Sequence, residues 1–253
     1  MELTVLGSGT SIPSLRRGAP GSLLRVGRDL VVIDCGPGTL NRLLKAGVRH
    51  DEVTHILCTH THLDHIGELA HWMFLSNIST MERTRPLTLC GSAGVMRMLA
   101  GLREMMGHWL DASSYTRTLV TMDEARASSV GFDGWSLAAF PVRHIDSSLA
   151  FRITESGGAT LACTGDTDTT DDLIDLARGA DLLLIESSTP DEGKIPGHLT
   201  PSEAGDVARR ARAGRVVLTH FYPPCDEADM LSQLRRTWDG PALLAEDGLS
   251  VRP

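Results

Sequence analysis

The stretch Cys58-Thr59-His60-Thr61-His62-Leu63-Asp64-His65-Ile66-Gly67, CTHTHLDHIG, decides the reading of this chain. It packs three histidines and an aspartate into six positions, behind the apolar run VTHIL and ahead of a helix-like segment. Four such groups would be costly to bury without a partner. A cation suits them, because imidazole and carboxylate are ligands for zinc, and also for iron or manganese.

Three further strand-like runs end in the same chemistry. LAAFPVRH ends at His144, ATLACTGD at Asp166 and RVVLTH at His220. With His60, His62, Asp64 and His65 they make seven nitrogen or oxygen ligands that could meet at one rim of a sheet. A catalytic tetrahedral zinc takes three protein ligands and keeps one position open. Seven ligands therefore suit two ions, about 3.5–4 Å apart. His60 and His62 can face one ion and Asp64 and His65 the other, and a carboxylate such as Asp166 has two oxygens with which to bridge them. The histidines His50, His55, His71 and His108 lack such company and read as ordinary core or surface residues.

The rest of the chain reads as short strands punctuated by glycine, with helices between. ELTVL, GSLLRV, DLVVIDCG, VTHILCTH, PLTLCG, WSLAAFPVRH, SLAFRIT, ATLACTGDT, ADLLLIES and RVVLTH have strand character. GSLLRV and DLVVIDCG form a hairpin through Gly27-Arg28-Asp29. Helical spacing runs through GTLNRLLKAG, IGELAHWMFLSNIST, AGVMRMLAGLREMMG and DDLIDLARG. It runs also through PSEAGDVARRARAG, with Thr200 as N-cap, Pro201 at the first helical position and Glu203 completing a capping box. The segment Arg103 to Tyr115 reads as a helix end rather than a lid. Long strand blocks with helices interspersed predict two sheets covered by helices.

A length of 253 residues and 42% hydrophobic content allow a sizeable core. A net charge of -8 argues against stable complexes with nucleic acid and against anionic membranes. No apolar run reaches the roughly 20 residues of a membrane span. No signal-peptide pattern opens the chain. Five scattered cysteines without a CxxC pair read as buried reduced thiols, and together these features predict a cytoplasmic protein.

At His60-Thr-His-Leu-Asp-His65 the chain resembles the metallo-β-lactamase superfamily, whose HxHxDH signature it fills at every position, with His144, Asp166 and His220 following in the expected order. The resemblance implies an α/β fold, a four-layer αββα sandwich of two mixed β-sheets flanked by helices, as a single domain over residues 1–253. It implies one metal site from His60, His62 and His144, a second from Asp64, His65 and His220, and Asp166 bridging. Within the superfamily the chain is similar to the ribonuclease Z group and its shorter phosphodiesterase relatives. LGSGTSIPSLRRGAPGSLL resembles that group's glycine-rich opening. IDCGPGTLNRLL resembles its DCGEGT segment through Asp34, Gly36, Gly38 and Thr39. LLLIESS and GHLTPSEAG place Glu186, His198 and Thr200 at matching positions. A histidine just before a helix can donate to a phosphoryl oxygen or a leaving alkoxide, with a carboxylate orienting it, so His198 and Glu186 join Asp64 as candidate catalytic residues. Arg16 and Arg17 could pair with phosphate, and Thr200 completes the candidate substrate-binding set.

Two departures from ribonuclease Z stand out. Only about twenty residues separate His144 from Asp166, which leaves no room for its tRNA-gripping arm. Its P-x-K-x-R-N motif here reads Pro13-Ser14-Leu15-Arg16-Arg17-Gly18. The reading is therefore a hydrolase with two divalent ions, zinc first and manganese or iron also suitable. It cleaves a small phosphodiester or nucleotide through a metal-bound hydroxide, and the resemblance implies the homodimer common among such relatives. The alternatives are a tRNA 3′-endonuclease lacking the arm, and a lactone, thioester or β-lactam hydrolase.

Overall fold

Fully apolar strands run through the middle of the chain, as expected where both faces of a sheet are covered. The computed structural model describes residues 1–78 and 83–253. The first sheet contains β1 (Glu2–Gly7), β2 (Gly21–Val26), β3 (Asp29–Cys35), β4 (His55–Leu57), β5 (Leu87–Ser92) and β6 (Arg117–Met122). The second contains β7 (Ser128–Phe132), β8 (Trp135–Pro141), β9 (Leu149–Glu155), β10 (Thr160–Cys163), β11 (Leu182–Glu186), β12 (Arg215–Thr219) and β13 (Ala242–Leu244). A last strand, β14 (Ser250–Val251), returns to pair with β1, so each sheet has seven strands.

The two sheets repeat one pattern. β1, β2 and β3 are antiparallel neighbours, after which β3, β4, β5 and β6 run parallel. In the second sheet β7 to β10 are antiparallel neighbours and β10 to β13 run parallel. Parallel strands end together, so the loops that carry chemistry leave from one edge of each sheet.

Side chains divide by the two-residue period of a strand. Val31 and Ile33 of β3 enter the core between the sheets, with Leu24, Leu57, Phe151, Leu184 and Val217. Val32 points the other way, into a second cluster with Leu43, Trp72 and Val95. That outer cluster seats α1 (Thr39–Lys45), α3 (Leu69–Leu75) and α4 (Ala93–Met106). α5 (Asp172–Ala177), α6 (Pro201–Ala211) and α7 (Met230–Leu234) bury Leu173, Leu176, Val207 and Leu234 with the second sheet. The result is the expected αββα layering. Each buried Val, Leu or Ile contributes about 1.5–3 kcal/mol.

The elements differ from expectation in several places. VTHILCTH is strand only over His55–Leu57, so the histidine loop begins earlier. IGELAHWMFLSNIST breaks into α2 (Leu63–Ile66) and α3, with Gly67 and Glu68 between. Its last residues, Ser79 and Thr80, lie outside the described residues. β6 and β7 were not expected: each lies at the end of its sheet and is half-exposed, so apolar alternation is weak there. Arg103 to Tyr115 is a helix end as expected, since α4 passes into a 3-10 turn at Gly107–Leu110 and Leu110 and Tyr115 are buried under the outer helices.

Candidate metal centre

Close backbone approach brings the sequence-distant groups together. A Cβ on Gly36, just past β3, would lie 1.8 Å from the Asp64 carbonyl oxygen, so only glycine lets the histidine loop fold against that strand. Gly165 has φ +57°, and a Cβ there would lie 2.8 Å from Thr59 Cβ, which sets Asp166 beside the end of β4. Asp34 and His220 take left-handed backbone angles, φ 58° and 62°, without being glycine. Such strain collects where side chains must be aimed against local preference.

Asp166 is the centre of the arrangement. Its Oδ1 lies 3.2 Å from both His65 Nε2 and His220 Nε2. Its Oδ2 lies 3.8 Å from His60 Nε2 and 3.7 Å from His144 Nε2. Asp64 Oδ2 stands 3.6 Å from His220 Nε2 and 3.8 Å from His65 Nε2. His62 Nδ1 is 3.0 Å from His144 Nε2. The donors thus separate into His60, His62 and His144 on one oxygen of Asp166, and Asp64, His65 and His220 on the other, while His198 also comes within reach of Asp166 and His220. His50, His55, His71 and His108 belong to neither group.

The far nitrogen of each inner imidazole is held. His65 Nδ1 lies 2.7 Å from Asp34. Asp34 also accepts from the Thr59 backbone and hydroxyl, both at 2.8 Å. His60 Nδ1 meets the Thr59 hydroxyl at 3.0 Å, and His144 Nδ1 donates to the Gly197 carbonyl at 2.9 Å. His220 Nδ1 meets Ser188 Oγ at 2.9 Å, and Ser188 donates to Glu186 at 2.6 Å. Each bond fixes the Nδ1 side of its ring and turns Nε2 inward, the orientation a metal ligand needs.

The electrostatics agree. Burial, then the neighbouring His65, drives the His60 pKa far down, so that ring is neutral. Burial opposes the charge of Asp166, but His220, His65 and His60 hold it well below the usual carboxylate range. Burial likewise opposes His65, yet Asp166 and Asp34 raise its pKa well above the ordinary value. Carboxylates that attract a proton so strongly also attract a cation.

A divalent ion on each side fits this donor set. His60 Nε2 and Asp166 Oδ1 are buried and have no hydrogen-bond partner, an expensive state for polar atoms unless something binds them. Imidazole nitrogens stand only 3.0 and 3.3 Å apart at His62–His144 and His65–His220, a separation that a cation between each pair would also accommodate. The thiols do not compete. Burial raises the Cys58 pKa well above its ordinary value and pushes Cys163 up to about 12.

Residues 30–221, well over half of the chain, match the beta-lactamase superfamily domain. The chain belongs to that superfamily. It is a metal-dependent hydrolase with the metallo-β-lactamase fold. It is 31% identical to ribonuclease Z of Bradyrhizobium sp. (strain ORS 278), covering 99% of each chain. The fold matches the metallo-β-lactamase fold protein YhfI from Bacillus subtilis with a TM-score of 0.83 at 22% identity, over 99% of this chain and 98% of that one. It matches the short form of human tRNase Z with a TM-score of 0.80 at 26% identity, over 100% and 99%.

Next to the ligands this hydrolase holds a sixth imidazole. The His198 ring lies 4.9 Å from that of His144 and stacks on His220 at 5.5 Å. Its Nδ1 is 3.1 Å from Glu186 Oε1 and 3.2 Å from Ser188 Oγ. Glu186 is buried and also accepts from the Thr167 and Leu199 backbones, at 2.6 and 3.1 Å, so it cannot swing away. Burial opposes a charge on His198, but the bond and charge of Glu186 outweigh it and raise the pKa. The sequence expectation for this pair is thereby given a geometry.

The residues expected to meet phosphate already have partners within the fold. Arg17 is buried: it donates to Asp226 at 2.9 Å, to Ser8 Oγ at 2.9 Å and to the Ala245 carbonyl at 2.7 Å, and its guanidinium covers the Phe221 ring. It ties the β1–β2 loop to the C-terminal segment. Arg16 is paired with Asp226 at 3.1 Å and Glu246 at 3.5 Å. Thr200 is buried in the capping box of α6, where its backbone N–H donates to Glu203 at 2.9 Å. Its task there is to start a helix.

Several residues of the site had no role assigned from the sequence. Asp34 was named only within the DCGEGT-like segment, and its visible sign is a carboxylate at the end of the buried run LVVID. Ser188 had none. Asp168 joins three loops: its backbone N–H donates to the Arg143 carbonyl at 2.7 Å, and its carboxylate accepts from Gly197 N and Lys194 Nζ, each at 2.9 Å. Lys194 continues to the His198 carbonyl at 2.5 Å and Glu203 at 2.6 Å. Asp168 and Lys194 thereby fix the loop that carries His198 and supports His144. Tyr222 sets its ring edge-on to His198 and His220, 6.1 Å from each.

Proposed function

We propose that this hydrolase cleaves a small phosphodiester at a dinuclear site, in which His60, His62 and His144 hold one ion, Asp64, His65 and His220 hold the other, and Asp166 gives one oxygen to each. An imidazole and carboxylate donor set suits zinc, and also manganese or iron. When bound, such a pair polarises the phosphoryl group and makes a water acidic near neutral pH. Asp64, half-buried at the mouth, is placed to accept the proton of the attacking water. His198 is placed to protonate the departing alkoxide as the P–O bond breaks, and Glu186 stabilises the imidazolium beforehand. Ser188 and Asp34 keep His220 and His65 from rotating during turnover.

The observation that carries this reading is the His198–Glu186 pair, a proton donor that none of the candidate ligands needs and that leans on one ligand from each ion. Turnover of bis(p-nitrophenyl) phosphate by metal-loaded protein tests it, beside a chelated sample and a His60→Ala variant. Turnover lost in both controls is expected. No turnover at full metal occupancy overturns the reading and brings lactones and thioesters forward.

The similarity to ribonuclease Z supports a second reading, cleavage of a tRNA 3′ trailer. Against it, the alignment with the Bradyrhizobium protein spans 301 positions while this chain has 253 residues, so that relative carries tens of residues with no counterpart here. The net charge of -8 also disfavours RNA. Incubation with a precursor tRNA separates the two readings.

The core shared between the sheets supports reading 1–253 as one domain. Five free, buried cysteines fit a cytoplasmic location. No helix among the described residues is long and apolar enough to cross a membrane. A homodimer completes this reading, and its test is mass in solution by light scattering.

A further inference from the structure

Beside the metal centre, the β1–β2 loop and the start of α2 enclose a pocket of about 380 Å³, and the candidate ligand Asp64 forms part of its lining. That volume falls at the low end of small-molecule sites, roughly 300–1,000 Å³. Ile12, Pro13, Pro37 and Leu63 supply apolar walls, with Ser11 and Ser14 among the polar lining. Ile12 is 44% exposed and Leu63 76%. Single exposed apolar side chains are ordinary, but these stand together on the wall of a concavity that opens at the site.

The charges of this pocket cancel. Its two cations are Arg17 and Arg42. Arg17 is spent on Asp226, Ser8 and the Ala245 carbonyl. Arg42 Nε pairs with Asp247 at 3.1 Å and its Nη1 donates to the Pro37 carbonyl at 3.2 Å. The neighbouring Arg16 is held by Asp226 and Glu246. A phosphate entering here would find every guanidinium already matched to a carboxylate, and would stand close to Asp64. An uncharged ring would find proline and branched aliphatic faces to cover it and serine hydroxyls to bond its polar edge.

We propose that this pocket seats an uncharged ring, of aryl or nucleoside kind, on one side of the scissile phosphodiester. The proposal rests on the phosphodiesterase reading and gives the substrate a class and a direction. The phosphodiester lies over the ligand cluster, the ring lies against Ile12 and Leu63, and a chain that continues with further phosphates on that side is disfavoured.

A series of p-nitrophenyl phosphodiesters with one leaving group and different second substituents tests it: methyl, phenyl, thymidine-5′ and 3′-phosphorylated thymidine-5′. Metal-loaded protein should show kcat/KM about tenfold higher for the phenyl and thymidine esters than for the methyl ester, and the added 3′-phosphate should cancel that gain. Ile12→Asp should pull the phenyl-to-methyl ratio toward one, and Ile12→Ala part of the way, with the thermal midpoint confirming that both fold. If all esters react alike, or the ratio ignores both substitutions, the pocket assignment fails while the phosphodiesterase reading stands. If no ester reacts, that reading fails. Calorimetric titration with thymidine then decides the pocket: binding weakened by Ile12→Asp sustains it, and no binding at millimolar thymidine overturns it.

Discussion

The two sheets repeat one strand pattern yet furnish the site in opposite ways. The first sheet gives four candidate ligands from one contiguous stretch, His60 to His65, in the loop after β4 and the first turn of α2. The second gives His144, Asp166 and His220 from three separate strand ends, with Glu186 and His198 between them. A contiguous ligand set is fixed by local backbone geometry, with Asp34 and Thr59 supporting it from below. A dispersed set is fixed by register across the parallel ladder, by the Asp168–Lys194 loop anchor and by the Glu186–Ser188 bonds. One half is therefore robust to changes in its surroundings, and the other depends on them.

The largest expected effect comes where the halves meet. Asp166→Ala removes the carboxylate that offers one oxygen to each set, so metal content should fall from two ions per chain to one or none. Phosphodiester turnover should drop by a factor on the order of 10³, measured by elemental analysis beside kcat. Retention of both ions in this variant would break the comparison at its centre.

His198→Ala should cost about 10²–10⁴ in kcat on an alkyl phosphodiester, and far less on a p-nitrophenyl ester, whose leaving group needs no proton. Equal losses on both would remove His198 from the acid role. Glu186 raises the His198 pKa, so activity that needs the imidazolium persists above the ordinary histidine pKa and fades as pH climbs through the raised one. Glu186→Gln takes that support away, and the alkaline limb of the kcat profile should move to lower pH.

A sharper contrast lies in the supporting residues. Asp34→Asn and Ser188→Ala each loosen one imidazole of the same ion, His65 and His220 respectively, and each should weaken metal affinity about 10–100-fold. Asp34 also holds the Thr59 backbone, so its loss should in addition lower the thermal midpoint, whereas loss of Ser188 should leave it nearly unchanged. Equal thermal shifts would mean that the first half is no better braced than the second.

The smallest effect concerns the loop anchor. Burial opposes the charge of Asp168, but donation from Gly197 and Lys194 lowers its pKa to about 2. A carboxyl depressed on folding stabilises fully above its unfolded value, about 3.9, and loses that contribution as pH falls toward the folded value. Asp168→Asn should therefore destabilise the protein modestly above about pH 4, with the difference shrinking between about pH 4 and 2. Thermal midpoints of both proteins across that range test the sign, and a gap that widens in acid would contradict it.

The same difference between halves explains what could be read from the chain. His60 to His65 was legible because four costly groups sit within one loop, and His144, Asp166 and His220 because each ends an apolar run. Asp34 left a weaker trace, a charge closing a buried strand. Ser188 and Lys194 left none, because a serine or a lysine in a loop has no pattern until its partner is placed. The pairing of Arg16 and Arg17 was hidden for the same reason: a loop arginine looks free until Asp226, more than two hundred residues away in the chain, arrives to pair with it.

The sequence by itself pointed to the layered α/β architecture and to the seven candidate ligands, since period-two apolar runs and clustered imidazoles follow from short-range chemistry, and its resemblance to the superfamily implied how those ligands would divide between two ions. Only the tertiary structure decided which oxygen of Asp166 faces which set, which nitrogen of each imidazole turns inward, which arginines are already neutralised and where a neutral pocket opens beside Asp64. Those features depend on contacts between segments far apart in the chain, and the free energy of such a contact exists only once both segments have been brought to the same place.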